Sequence, residues 1–173
     1  MRILALDQSP SNTGWALWDT GDALPRSGAW PLCEGIHKRA LGFVELHRQL
    51  AAIQAECPID ILAHETPHLM PTDKRDKLIA MYGVVAHIES YAHVKRIQLH
   101  SVPDRDWRQT WFNGMVGVGR DNLKRLAIER GRQLGMNPLS DDEAEACGLL
   151  DHIMHTLKIT PPWRLAHPMV ATL

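Results

Sequence analysis

The chain is poor in the features that mark several large protein classes. It has three cysteines, Cys33, Cys57 and Cys147, widely spaced and odd in number. That argues against a disulfide framework and against a cysteine-built zinc site, and it fits a reducing compartment. No apolar run reaches the roughly 18 residues of a membrane span. The first residues run straight into an extended apolar stretch without the basic-then-apolar pattern of a secretory signal, so the expected location is the cytoplasm. None of the ten histidines forms the i, i+4 pair with an acidic partner that marks a zinc protease. There is no internal repeat, no low-complexity segment and almost no net charge, −1 at neutral pH.

What remains is an ordinary globular composition, 45% hydrophobic and 23% charged over 173 residues, enough for one domain with a sizeable core. The near-neutral total conceals an uneven distribution. Between residues 95 and 133 nine lysines and arginines face four acids, a local surplus able to hold phosphate backbones. The plainer reading of such a run is a solvated helix face.

Apolar patterning divides the chain into alternating strands and helices. Residues 2–7 (RILALD) read as a buried strand, 8–14 (QSPSNTG) as a turn and 14–19 (GWALWD) as its returning partner, with a third strand near 26–32. These make an antiparallel meander. A helix over 36–56 stops at Pro58, a second buried strand lies within 59–67 (IDILAHETP), a helix covers 76–93, and a strand follows at 95–102. After the glycine-rich stretch 113–120, helices are expected from 121 to about 134 and from the "SDDE" at 140–143 to about 157. The order predicts an α/β layered domain over 1–158, with 159–173 as a C-terminal tail.

Three acidic stations stand out. Asp7 closes the first strand and Glu65 closes the strand after the first helix, the strand ends at which α/β folds place their functional crevices. If those two strands are sheet neighbours, their carboxylates come within reach of one ion. The third station is "SDDEAEACGLLDHIM", 140–154. Ser140 and Glu143 match a capping box, which puts Asp142 and Glu145 three residues apart on one helical face. Ala144, Ala146 and Gly148 are small enough for this helix to approach the sheet closely. Bunched carboxylates repel unless cations neutralise them, and hard oxygen donors suit Mg²⁺ or Mn²⁺. Two such ions about 4 Å apart can drive phosphodiester hydrolysis. The plain alternatives are that Asp7 is a turn former and that Asp141, Asp142 and Glu143 serve the helix dipole.

These residues carry a resemblance. The stretches "LALDQSPSNTGWAL", "ILAHETP", "SVPDRDWRQTWFNG", "RDNLKRLAIERGRQLG" and "DDEAEACGLLDHI" resemble, in order and over nearly the whole chain, the RuvC-like Holliday junction resolvases of the ribonuclease H-like superfamily, including phage-type members. Of that family's opening D-x-G-x-x-x-T-G-W, this chain keeps Asp7, Thr13, Gly14 and Trp15 and has Ser9 in place of the first glycine. The resemblance implies a mixed five-stranded sheet, a meander plus parallel strands, flanked by helices. It implies Asp7, Glu65, Asp142 and Glu145 as catalytic carboxylates holding two Mg²⁺ or Mn²⁺ ions, with the closing ligand open among Asp141, Asp142 and Glu145. Lys124 would contact the scissile phosphate. It further implies a bacterial or phage-encoded homodimer acting on branched DNA; helix 76–93 stands where the family makes its dimer contact, and core burial alone would equally explain its apolar face.

Further DNA contacts are expected from a basic loop over 68–77, with Lys74, Arg75 and Lys77, and from Arg105, Arg108, Arg120 and Arg125. Trp107 reads as a packing residue, whereas Trp111 is open between packing and stacking on unpaired bases. The leading function is resolution of four-way junctions by paired phosphodiester hydrolysis. Its rivals are a less selective branched-DNA endonuclease and a non-catalytic DNA-binding relative. A sugar-kinase or actin-like protein needs two lobes, and 173 residues supply one.

Overall fold

Apolar alternation along the first strand sets the architecture. In β1 (Arg2–Gln8) Ile3 and Ala5 belong to one buried cluster and Leu4 and Leu6 to another, because successive side chains leave opposite faces of a sheet. Both faces are therefore covered. The structure is a computed structural model that describes residues 1–32, 38–67, 74–114 and 119–166, apart from the side chains of Arg120 and Asp121.

β1 is followed by β2 (Asn12–Asp19), β3 (Arg26–Pro31), α1 (Arg39–Glu56), β4 (Ile61–Glu65), α2 (Arg75–Lys95) and β5 (Gln98–Val102). Then come α3 (Asp104–Trp111), α4 (Arg120–Gln133), α5 (Asp141–Thr156) and α6 (Pro162–Ala166). The strands form one sheet in the order β3-β2-β1-β4-β5. β1, β2 and β3 pair antiparallel, while β4 runs parallel to both β1 and β5. This is the mixed five-stranded sheet the sequence leads one to expect. One face is covered by α1 and α2, through Leu46, Leu50, Val84 and Ile88. The other face is covered by α5 with α3, α4 and α6 around it.

Two glycines let α5 pack closely, Gly148 against α3 and Gly14 of β2 beneath the first turn of α5. A Cβ on Gly148 would stand 2.9 Å from the Trp107 ring. A Cβ on Gly14 would stand 2.0 Å from the backbone oxygen of Asp142, so only glycine admits the first turn of α5 at that point of β2. Gly14 is also the cross-strand partner of Asp7. The T-G-W of the second strand thereby delivers the acidic helix end beside the acid of the first.

Several elements differ from the sequence pattern. α3 has only eight residues and its buried stripe consists of Trp107 and Trp111 alone, too short for a periodic signal. Within the stretch expected as a tail, α6 buries Trp163 completely, and Ile159 packs against the same core. The glycine-rich residues 115–118, the loop residues 68–73 and residues 167–173 lie outside the described residues. Among the described residues no helix is long and apolar enough to cross a membrane.

Candidate active site

The parallel register aligns Leu6 with His64, which sets Asp7 beside Glu65 at the C-terminal ends of neighbouring strands. Alternation sends His64 to the opposite face, where burial lowers its basicity. Gln8 locks the pair from the backbone side. Its Nε2 donates to the Glu65 carbonyl at 2.5 Å and its Oε1 accepts from the Glu65 N–H at 3.1 Å. The Glu65 side chain is held separately, by the indole Nε1–H of Trp107 donating to Oε2 at 2.8 Å.

The third acid comes from α5. Ser140 caps this helix, its Oγ accepting from the Glu143 N–H at 3.2 Å. The Glu143 carboxylate turns back to accept from the Leu139 N–H, also at 3.2 Å, so Glu143 is spent on structure. Glu145, beyond the first turn, joins Asp7 and Glu65: the three carboxylates offer oxygens that all lie within 4.8 Å of one another. Asp142 lines the same cleft, and one of its oxygens accepts from the Nδ2 of Asn12. Asn12 closes the turn after β1, where Ser9 Oγ accepts from the Asn12 N–H at 3.1 Å. Asp141 instead pairs with Lys124.

These four acids line a cleft of about 450 Å³ whose other walls carry Lys77, Arg108 and Lys124. Lys74, Arg75, Arg105 and Arg125 are exposed outside it, and the Arg120 side chain is outside the described residues. Arg108 is pinned by Asp104 at 2.7 Å and lies 5.1 Å over the Trp107 ring. Trp107 and Trp111 are both buried, so neither is available to stack on a base. Sequence reasoning missed Asn12, Gln8 and the hydrogen bond of Trp107. Only the polar turn around Asn12 carried any signal.

Burial, reinforced by charge crowding, dominates the electrostatics. Burial, and then repulsion from Glu145, Glu65 and Asp142, pushes the Asp7 carboxyl well above the usual carboxylate range. Glu145 is pushed up to about 7, chiefly by burial, with Arg108 and Lys124 opposing the rise and Glu65 adding to it. A carboxyl whose proton is held more tightly in the folded state destabilises that state as pH rises through the interval between the unfolded and folded values. For Glu145 the interval runs from 4.5 to about 7. At pH 8 without metal, Glu145→Gln should thus be more stable than wild type by up to about 3 kcal/mol. The gap should close by about pH 4.5, and paired denaturant melts at the two pH values measure it. A gap that does not shrink on acidification would contradict this account of the cleft.

The fold is the ribonuclease H-like fold of RuvC-type Holliday junction resolvases. RuvC of T. thermophilus in complex with a Holliday junction substrate is similar to this chain with a TM-score of 0.66 at 10% identity, covering 99% of this chain and 98% of that one. The yeast mitochondrial Holliday junction resolvase Ydc2 has a TM-score of 0.62 at 8% identity, over 98% of this chain and 81% of its own. The fowlpox virus resolvase, solved with Holliday junction DNA, has 0.57 at 12% identity, over 91% and 99%. No protein-family model and no curated protein matches the sequence. At these identities the likeness is one of fold, and the chemistry rests on the cleft itself.

Proposed function

We propose that this protein is a divalent-metal-dependent endonuclease that resolves four-way DNA junctions by paired phosphodiester hydrolysis. The observation that carries the reading is the meeting of Asp7, Glu65 and Glu145, from three separate elements, within 4.8 Å on a RuvC-type fold. The donor set fits the metal. It is all carboxylate, with no thiol or imidazole, which favours Mg²⁺ or Mn²⁺. It is also held together against its own repulsion, which adds to burial in raising the Asp7 carboxyl. Asp7, Glu65 and Glu145 would hold the ions, with Asp142 closing the set from the same helix. Divalent cations held by these residues would supply activation of a water and charge stabilisation of the leaving oxygen.

The remaining work falls to the chain's own cations. Lys124, Arg108 and Lys77 line the acidic cleft, and in this reading they hold the phosphates flanking the scissile bond. Exposed Lys74, Arg75, Arg105 and Arg125 extend that track, giving recognition dominated by backbone and shape rather than base edges. Resolution also needs two opposed cuts, which a homodimer provides. Exposed Leu41 and Val44 on α1 and Ile79 and Tyr82 on α2 are the apolar surface on which it would form.

The test is a substrate panel. With Mg²⁺, symmetric paired nicks are expected on a synthetic four-way junction, and little cutting of flap, three-way or linear duplex DNA. Equal cutting of every branched species would replace the resolvase reading with a general branched-DNA endonuclease. Binding of the junction without cleavage in Mg²⁺ or Mn²⁺ would point to a non-catalytic relative.

A further inference from the structure

We propose that Trp107 is a positioning residue for the metal site, acting through Glu65; the proposal rests on the reading of the cleft as a divalent-cation site. The problem it answers is electrostatic. Glu65 ends its strand close to Asp7 and Glu145, each of the three offering an oxygen within 4.8 Å of the others. A glutamate has three side-chain torsions and can swing away from like charges toward water. Gln8 fixes only the backbone of Glu65. The indole N–H of Trp107 holds the carboxylate itself, at 2.8 Å.

An indole suits this task for two reasons. It donates and cannot accept, so it holds a carboxylate oxygen in one orientation. It is also neutral, so it steadies Glu65 without supplying a positive charge that would compete with the incoming ion, as a lysine or arginine there would. The ring is itself immobile. It is 1% exposed, lies against Gly148 where a Cβ would intrude, and carries Arg108 over one face at 5.1 Å. Hydrogen bonds of this kind to metal-ligating carboxylates commonly set affinity by about 10- to 100-fold.

Trp111 supplies the control. It lies one turn along the same helix, is fully buried, and its Nε1 has no hydrogen-bond partner among the described residues. Trp107→Phe and Trp111→Phe therefore sacrifice similar packing, but only the first removes a bond to the acidic cluster. The midpoint of the Mg²⁺-induced shift in ¹⁵N amide resonances at fixed temperature is measured for wild type and both variants, alongside their metal-free melting temperatures and the Mg²⁺ dependence of junction cleavage. Both variants should melt lower without metal, whereas only Trp107→Phe should raise the Mg²⁺ midpoint, by about 10- to 100-fold. An unchanged midpoint in Trp107→Phe, or an equal rise in Trp111→Phe, overturns the proposal. A wild type that shows no shift with Mg²⁺ or Mn²⁺ overturns the metal-site reading, and this proposal with it. Should Trp107→Phe fail to fold, ¹⁵N spectra of wild type decide: the Trp107 indole resonance should move on Mg²⁺ addition much more than that of Trp111, and a stationary Trp107 signal refutes the role.

Discussion

Asp7→Asn is expected to cut junction cleavage by roughly 10³-fold or more, the scale on which removing one group that stabilises transition-state charge acts, while leaving junction binding intact. It should also make the metal-free protein more stable. The two effects share one cause. Asp7 sits where burial and the charges of Glu145, Glu65 and Asp142 all disfavour its ionised form, so a neutral amide of the same shape relieves the folded state. The same amide is a poor ligand for a hard cation, so the site loses what that crowding was for. Binding survives because Lys77, Arg108 and Lys124 remain in the cleft and one negative charge beside a polyanion has gone. Single-turnover cleavage, gel-shift titration and thermal melts without metal give the three numbers. Cleavage within tenfold of wild type would remove Asp7 from the mechanism, and a lower metal-free melting temperature would show that its carboxylate is satisfied by something other than a cation.

Asp7 and Glu65 were legible because each ends an apolar strand, where an acid serves no packing purpose. The capping box was legible because Ser140 and Glu143 stand at a fixed local spacing, and the Ser140 bond to the Glu143 N–H is present. Local patterns report local geometry. What the pattern could not give was anything set by a long-range contact. Trp107 meets Glu65 across 42 residues and Asn12 meets Asp142 across 130. Both contacts depend on sheet order and on how closely α5 descends, and that descent is fixed by the absence of a side chain at Gly14. The choice among Asp141, Asp142 and Glu145 was open for the same reason. A helix places all three near the cleft, but it took the fold to bring Lys124 to Asp141 and Asn12 to Asp142.

The C-terminal segment was the least legible part and carries the second large expectation: Asp151→Ala should destabilise the protein by about 3–5 kcal/mol, or about 10 °C in melting temperature. Lys158 turns the chain with a positive φ of 59°, and Pro161 and Pro162 then start α6 back toward α3 and α5. To sequence inspection the two prolines open a C-terminal tail whose place in the fold stays open. Instead α6 delivers Trp163 and Arg164 to Asp151, a carboxylate that is completely buried on α5. Asp151 accepts from Trp163 Nε1 at 2.8 Å and from Arg164 Nε and Nη2 at 2.8 and 2.5 Å. Arg164 also donates to the Thr110 carbonyl at 3.1 Å, tying α3 into the same knot. A second guanidinium, Arg130, is 7% exposed and held below its ordinary proton affinity by burial and by Arg164, with Asp151 opposing both. One buried anion thus binds a part-buried guanidinium, Arg164, and attracts a second, buried one, Arg130, so removing it takes charge compensation from both. Arg164→Met leaves the completely buried Asp151 carboxylate without its ion-pair partner, so it should cost a similar amount. Urea denaturation of the two variants measures both losses. A cost below about 1 kcal/mol for either, the level of a solvent-exposed ion pair, would mean that this end of the fold is held by the packing of Trp163 alone.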